Sequence, residues 1–168
     1  KKYKEYFKKK NCIFSGDDDY ISTEGLKKAI NFLDKKKNKK IIAVSGKAVV
    51  VGVIGKYFDK IITSTEYNLT SAIEKNNLDR LENFFKNYSV PIYSVIRTSI
   101  FKKVLEYIVS KKNRNKCDFR SINSEILPCS LLVAQGPIFK IDTPLVIRTT
   151  GHSRVTNNFI DVEKNKSF

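Results

Sequence analysis

Strand-forming and helix-forming segments alternate along this chain, and that alternation restricts its fold more than any other feature. Residues 41–53, IIAVSGKAVVVGV, are dense in β-branched side chains, which suit a pleated, half-buried surface. Gly46 and Gly52 punctuate the run and predict one or two strands with a bend or bulge. Leu26, Ile30 and Leu33 recur at helical spacing, and they predict a helix capped by Ser22 or Thr23 with Glu24 in its first turn. The same period predicts helices over 71–88 (Ile73, Leu78, Leu81, Phe84, Phe85), 99–109 (Ile100, Val104, Leu105, Ile108) and 121–134, the last interrupted or entered at Pro128. Tyr3, Tyr6 and Phe7 suggest the end of an earlier helix. Short strands are predicted at 12–14, at 90–97 (VPIYSVIR, with Pro91 tolerated near its start), and at 138–141 and 145–148 beyond Gly136-Pro137, with 57–62 extending the sheet. Such an order predicts a layered α/β domain.

At 168 residues the chain has room for one domain with a real core. No apolar run approaches the ~20 residues that span a bilayer. Cys12, Cys117 and Cys129 are odd in number and far apart, which argues against a disulfide framework or a C-x-x-C zinc site. Reduced thiols in a cytoplasmic setting are expected. The chain contains no Met, so it is expected to be an excerpt of a longer protein.

The net charge is +15, from 32 basic against 17 acidic residues. A balance this basic favours nucleic acid or an anionic surface. Only six of the cations are Arg, however, and the lysine runs at 35–40 and 110–116 lack the interleaved aromatics that stack bases. Those runs read as solvated connections. The alternative is a non-enzymatic basic α/β module that binds nucleic acid or an anionic glycan through its Lys-rich faces.

Residues 14–22, FSGDDDYIS, set three carboxylates side by side. One or two Asp would serve a turn or a helix cap. Three repel one another, and a divalent cation held by hard oxygen ligands offsets the repulsion. An EF-hand loop fails, because counting from Asp17 puts Ser22 and Lys28 where Gly and Glu are required. A polymerase-type GDD turn matches at Gly16-Asp17-Asp18, but a helix start follows it rather than a returning strand.

The succession IFSGDDDYISTEGLKKAINFL, RLENFFKNYSVPIYSVIRTSIFKKVL and SEILPCSLLVAQGPIFKIDTPLVIR resembles the GT-A-fold nucleotide-sugar glycosyltransferases, specifically the family-2-like bacterial group, from residue 12 to about 150. The first stretch has that family's apolar strand, D-x-D-type turn and capped helix. The second has an aromatic-rich strand ending in Arg, then a helix. The third has a late helix carrying an acidic residue, a Gly turn and closing strands. The resemblance implies a GT-A-like mixed sheet flanked by helices, with residues 1–155 as a partial domain that lacks the N-terminal nucleotide-binding half and 156–168 as a polar tail. It further implies transfer of a sugar from a nucleoside-diphosphate donor to a glycan or other hydroxyl acceptor, with Mn²⁺ or Mg²⁺ and with inversion. No specific nucleic acid is expected, and the Lys-rich faces suit peripheral contact with a membrane.

By the same resemblance Asp19 is the chief metal ligand, with Asp17 and the late His152 beside it. Asp17 and Asp18 approach the donor, and Asp18 holds an outer water. Glu125 is the candidate general base and Asp118 the reserve. Arg97 and Arg148 are candidates for phosphate, and Tyr93 for the acceptor pocket. Each has an ordinary alternative. Glu125 suits a helix first turn, Arg97 a strand-end ion pair, Tyr93 a core aromatic, and His152 an exposed loop. Arg80, between Asp79 and Glu82, reads as a surface residue.

Overall fold

The β-branched run after Lys40 builds the central strand of a mixed sheet. A computed structural model describes residues 9–16, 19–54, 60–67, 69–110 and 123–150. Strands β1 (Asn11–Ile13) and β2 (Asp19–Ile21) precede helix α1 (Thr23–Asp34), and β3 (Ala43–Ile54) and β4 (Lys60–Tyr67) follow it. Helix α2 (Asn77–Lys86), strand β5 (Val95–Arg97), helices α3 (Thr98–Val109) and α4 (Asn123–Gln135) and strand β6 (Ile138–Thr150) complete the order. The sheet runs β1-β5-β3-β6-β2, with β4 paired to β3 off that path. β3 and β6 are parallel, and the remaining pairs are antiparallel. The α/β class expected from the alternation is what the chain adopts.

β3 is one strand, and both of its glycines mark irregularities. The β3–β6 register shifts between Ser45 and Lys47, around Gly46, and the β3–β4 register shifts between Gly52 and Val53. At Gly46 a Cβ would lie 2.5 Å from the Thr143 carbonyl oxygen, so β6 could not approach a larger residue there. Gly25 plays the same part for α1, since a Cβ there would meet the Pro144 carbonyl oxygen at 2.1 Å. Ser22 caps α1 by accepting the Gly25 N–H at 3.1 Å.

Three expectations are corrected. The two closing strands are one, because Pro144 lies opposite Lys47 at the register shift, where the ladder already has a gap for its missing N–H. Residues 90–97 are not a strand throughout: Pro91 opens a 3-10 turn, Pro91–Tyr93, and only β5 pairs. The helix expected from residue 71 begins at Asn77, where the Asn76 side chain accepts the Asp79 N–H at 2.8 Å. Before it, Ala72 bridges to Ile138. On α2, Leu78 and Phe85 face solvent, and Arg80 and Phe84 are the residues buried.

The core joins Leu33 of α1, Val44 and Ala48 of β3, Val95 and Ile96 of β5, Leu132 and Val133 of α4, and Ile138, Leu145 and Val146 of β6. Helix α1 packs on β3 and β6, and α4 packs against α2 and α3. Among the described residues no helix is long and apolar enough to cross a membrane.

Two arginines tie helix ends into this core. Arg80 is 5% exposed, which corrects the surface reading. Its guanidinium donates to the carbonyls of Val133 (3.0 Å) and Ala134 (3.3 Å) at the open end of α4, and to Glu74 (2.9 Å) and Lys75 (3.2 Å) before α2. Arg97 donates to the carbonyls of Ile41 (2.8 Å), Leu33 (2.9 Å) and Asn38 (3.3 Å), closing the C-terminal end of α1, which has no basic residue in its last turn.

Candidate functional site

The acidic turn delivers its last carboxylate to the start of β2. There Asp19 pairs across the ladder with Arg148 of β6, which puts the two side chains on one face of the sheet. Asp19 is almost enclosed, its side chain 3% exposed. Its Oδ2 accepts the Gly16 N–H at 3.0 Å, which holds the turn closed. Its Oδ1 faces Arg148 Nε across 3.6 Å, an ion-pair separation beyond hydrogen-bond range.

The guanidinium of Arg148 lies over two tyrosine rings, 4.5 Å from the centroid of Tyr93 and 5.5 Å from that of Tyr67. Such cation–π contacts orient the plane without consuming its N–H donors. Tyr93 comes from the 3-10 turn before β5 and Tyr67 from the end of β4. Phe14, just before the acidic triplet, packs against Tyr93 at 6.1 Å.

Glu125 enters from the first turn of α4. Tyr88 donates its hydroxyl to Glu125 Oε1 at 2.6 Å, and its own ring rests on the buried Phe84 at 5.4 Å. Burial, and then this hydrogen bond, hold the Tyr88 phenol well above its ordinary pKa. The tyrosines show that Glu125 and Arg148 share one neighbourhood. Tyr67 is pushed up by burial and next by the charge of Glu125, against the pull of Arg148. Tyr93 is raised by burial, with Arg148 opposing and Asp19 and Glu125 adding to the rise. Cys129, one turn along α4 from Glu125, is fully buried, and burial pushes its thiol up to about 12. It is an inert packing residue.

Asp19, Tyr93 and Arg148 therefore come together, and Glu125, bonded to Tyr88, lies within electrostatic reach of Tyr93 and Tyr67. Arg97 does not join them, because its guanidinium is spent on main-chain carbonyls beside the start of β3, whereas Arg148 pairs with Val50 far along that strand. Asp17, Asp18, Asp118 and His152 lie outside the described residues. Tyr67, Tyr88 and Phe14 were not singled out from the sequence. Their aromatic type was visible, but each meets the site through tertiary packing that no local pattern records.

Among the described residues no group of three or more His, Cys, Asp or Glu forms a ready-made metal cage. Of the acidic triplet only Asp19 is described, and its two oxygens face the Gly16 N–H and the Arg148 guanidinium rather than a second carboxylate. A separate basic hollow, lined by Lys9, Lys10, Thr98, Ser99 and Lys102, lies at the start of α3. Compared with known proteins, the chain matches no family model and no curated protein at a significant level.

Proposed function

We propose that this chain is part of a GT-A-like, nucleotide-sugar-dependent glycosyltransferase and carries its metal- and acceptor-facing residues. What supports this reading is an enclosed Asp19–Arg148 pair set against Tyr93 and Tyr67, two tyrosines that also feel the charge of the carboxylate Glu125. Transfer of a glycosyl group to a hydroxyl needs a proton acceptor on one side and charge stabilisation of a leaving diphosphate on the other. Asp19 and Asp17 are the residues that would hold a divalent cation, Mn²⁺ or Mg²⁺, which would supply Lewis-acid stabilisation of that diphosphate.

The chain's own side chains do the rest. Arg148, whose guanidinium makes no hydrogen bond to a described residue, presents a fork matched to phosphate oxygens. Tyr88 fixes Glu125 through Oε1 and leaves Oε2 to take the acceptor proton. Tyr67 and Tyr93 wall the cleft and narrow the access of water to the charged groups.

The test is a transfer assay with a panel of nucleoside-diphosphate sugars, Mn²⁺ and hydroxyl acceptors, run beside binding of the corresponding nucleoside diphosphates. Glu125→Gln is expected to cut turnover at least about a hundredfold while leaving diphosphate affinity unchanged. Asp19→Asn is expected to abolish the metal dependence of diphosphate binding. Equal nucleotide binding with and without metal, unchanged in Asp19→Asn, would remove the reading. Steeply salt-dependent binding to arbitrary DNA would favour the basic module instead.

A further inference from the structure

Helix α3 starts without the support that opens α1 and α2. Ser22 caps α1 and Asn76 caps α2, and each helix has an acid in its first turn, Glu24 and Asp79. Arg97 precedes α3 and gives no cap, because its guanidinium is turned onto the carbonyls around the end of α1. The first turn of α3 carries no acid either. Thr98 gives its N–H to the Lys10 carbonyl at 3.0 Å, which leaves the amides of Ser99 and Ile100 with no intrahelical acceptor.

A hollow of about 360 Å³ lies against this turn, lined by Lys9, Lys10, Thr98, Ser99 and Lys102. Thr98 forms its buried side, 4% exposed, and the Oγ1 makes no hydrogen bond of normal geometry. The one group near enough to feel that hydroxyl is the Cys12 sulfur, a weak acceptor that donates its own hydrogen to the Ile96 carbonyl. A buried hydroxyl left in that state costs stability. Lys102 sits one turn along α3 from Thr98, so its side chain leans back toward the helix start. Lys10 is paired with Asp34 and Lys102 with Glu106, both in exposed pairs that exchange partners at little cost. No carboxylate lines the hollow itself.

We propose that this hollow binds a phosphomonoester dianion through the first amides of α3, the Thr98 and Ser99 hydroxyls and the ammonium groups of Lys9, Lys10 and Lys102. The site stands apart from the glycosyltransferase reading, since it uses none of Asp19, Glu125 or Arg148. A helix start offers N–H groups and partial positive charge to an anion. The lysines meet a dianion as point charges that need no fixed geometry. The Thr98 hydroxyl gains an oxygen acceptor in place of sulfur. A phosphate presents three oxygens, enough for backbone, hydroxyl and ammonium donors arriving from different sides, where a carboxylate has two. The same lysines repel a phosphate that already carries a metal ion. A soluble ester and a lipid headgroup offer the same dianion, so the test includes both.

The backbone amides of the labelled chain are followed by nuclear magnetic resonance during titration with inorganic phosphate, with glycerol 3-phosphate and with sodium chloride at matched ionic strength. The expected result is a saturating shift at Ser99 and Ile100 with a Kd of about 1 mM for the two phosphates, the amides of residues 35–40 staying still. Lys102→Gln, an exposed change, and Thr98→Val, a change of similar shape, should each weaken glycerol 3-phosphate at least about fivefold. Thr98→Val should leave the free chain no less stable than the parent, because it removes an unpaired hydroxyl, so its weaker binding is not a loss of fold. Phosphatidylcholine vesicles containing phosphatidic acid identify the source. Co-sedimentation that glycerol 3-phosphate displaces assigns the dianion to a lipid headgroup, and binding of the soluble ester without co-sedimentation assigns it to a free one. Ser99 and Ile100 unmoved by either phosphate, or moved equally by sodium chloride, overturn the proposal. Unchanged affinity in Lys102→Gln overturns it as well. So does a uniform response of the lysine amides, residues 35–40 included, to phosphate or to a DNA duplex, since that is the behaviour of solvated charge with no built site.

Discussion

Arg80 and Arg97 on one side, and Arg148 on the other, put the same side chain to opposite uses. The first two are absorbed by the backbone: Arg80 donates to four carbonyls and Arg97 to three, all at helix ends or the segments beside them. Arg148 is held by ring faces and by a carboxylate at ion-pair distance, contacts that fix a guanidinium while sparing its donors. The difference separates residues that tie the fold together from the one proposed to meet a ligand. A guanidinium held on three or four main-chain oxygens is fixed in place by the fold.

Truncation should break the two groups apart. Arg80→Ala strands the carbonyls of Val133 and Ala134 inside the α2–α4 contact, and it is expected to cost about 3 kcal/mol or more in urea unfolding. Arg97→Ala, at a less enclosed site, is expected to cost about 2 kcal/mol by the same measurement. Arg148→Gln should cost about 2 kcal/mol, because the partly solvated guanidinium is the cation beside the enclosed Asp19 carboxylate. A loss at Arg148 as large as that at Arg80 would erase the distinction.

Smaller effects sharpen the picture of the cleft. Tyr88→Phe removes the donor to Glu125 and should lower stability by about 1 kcal/mol at neutral pH. The Tyr88 phenol titrates higher in the folded chain than its ordinary value of about 10, so its contribution is whole below that pH and is lost as pH rises through the raised value. The parent chain should therefore lose stability more steeply than Tyr88→Phe above about pH 10 in a series of urea midpoints. Glu125→Gln should bring the phenol back toward its ordinary value in an ultraviolet titration, since the carboxylate is the second cause of the rise. Smallest of all, Cys129, with its thiol pushed up to about 12 by burial, should resist a thiol reagent at neutral pH until the chain unfolds, whereas the half-buried Cys12 reacts before it.

Elements that carry their own period were legible in advance. Helix α1 with its Ser22 cap, helix α3, most of α4 and both irregularities of β3 follow from spacing and from glycines. Features decided by a distant partner were not. Pro144 predicts a break unless the Gly46 register shift is known to lie beside it, and residues 71–75 look helical until Ala72 is seen bridging to β6. The site divides the same way. Asp19, Glu125, Arg148 and Tyr93 were picked out by residue type and by a family resemblance. Tyr88 reaches Glu125 across 37 positions and Arg80 reaches Val133 across 53, separations at which local periodicity says nothing. Arg80 and Arg97 show the cost most clearly, because an arginine's job depends on which oxygens the fold brings to it.

That Asp19, Arg148 and Glu125 share one cleft is tested most directly by paramagnetic broadening. Mn²⁺ with methylenediphosphonate is added to the labelled chain, and its effect is followed by nuclear magnetic resonance on the tyrosine rings, the glutamate carboxyls and the lysine ammonium groups. Broadening centred on Tyr93 and Tyr67, weaker at Tyr88 and Glu125 and absent around Arg80 and Arg97, is the expected result. Broadening centred on Lys9, Lys10 and Lys102, with Tyr93 and Tyr67 left sharp, would contradict it.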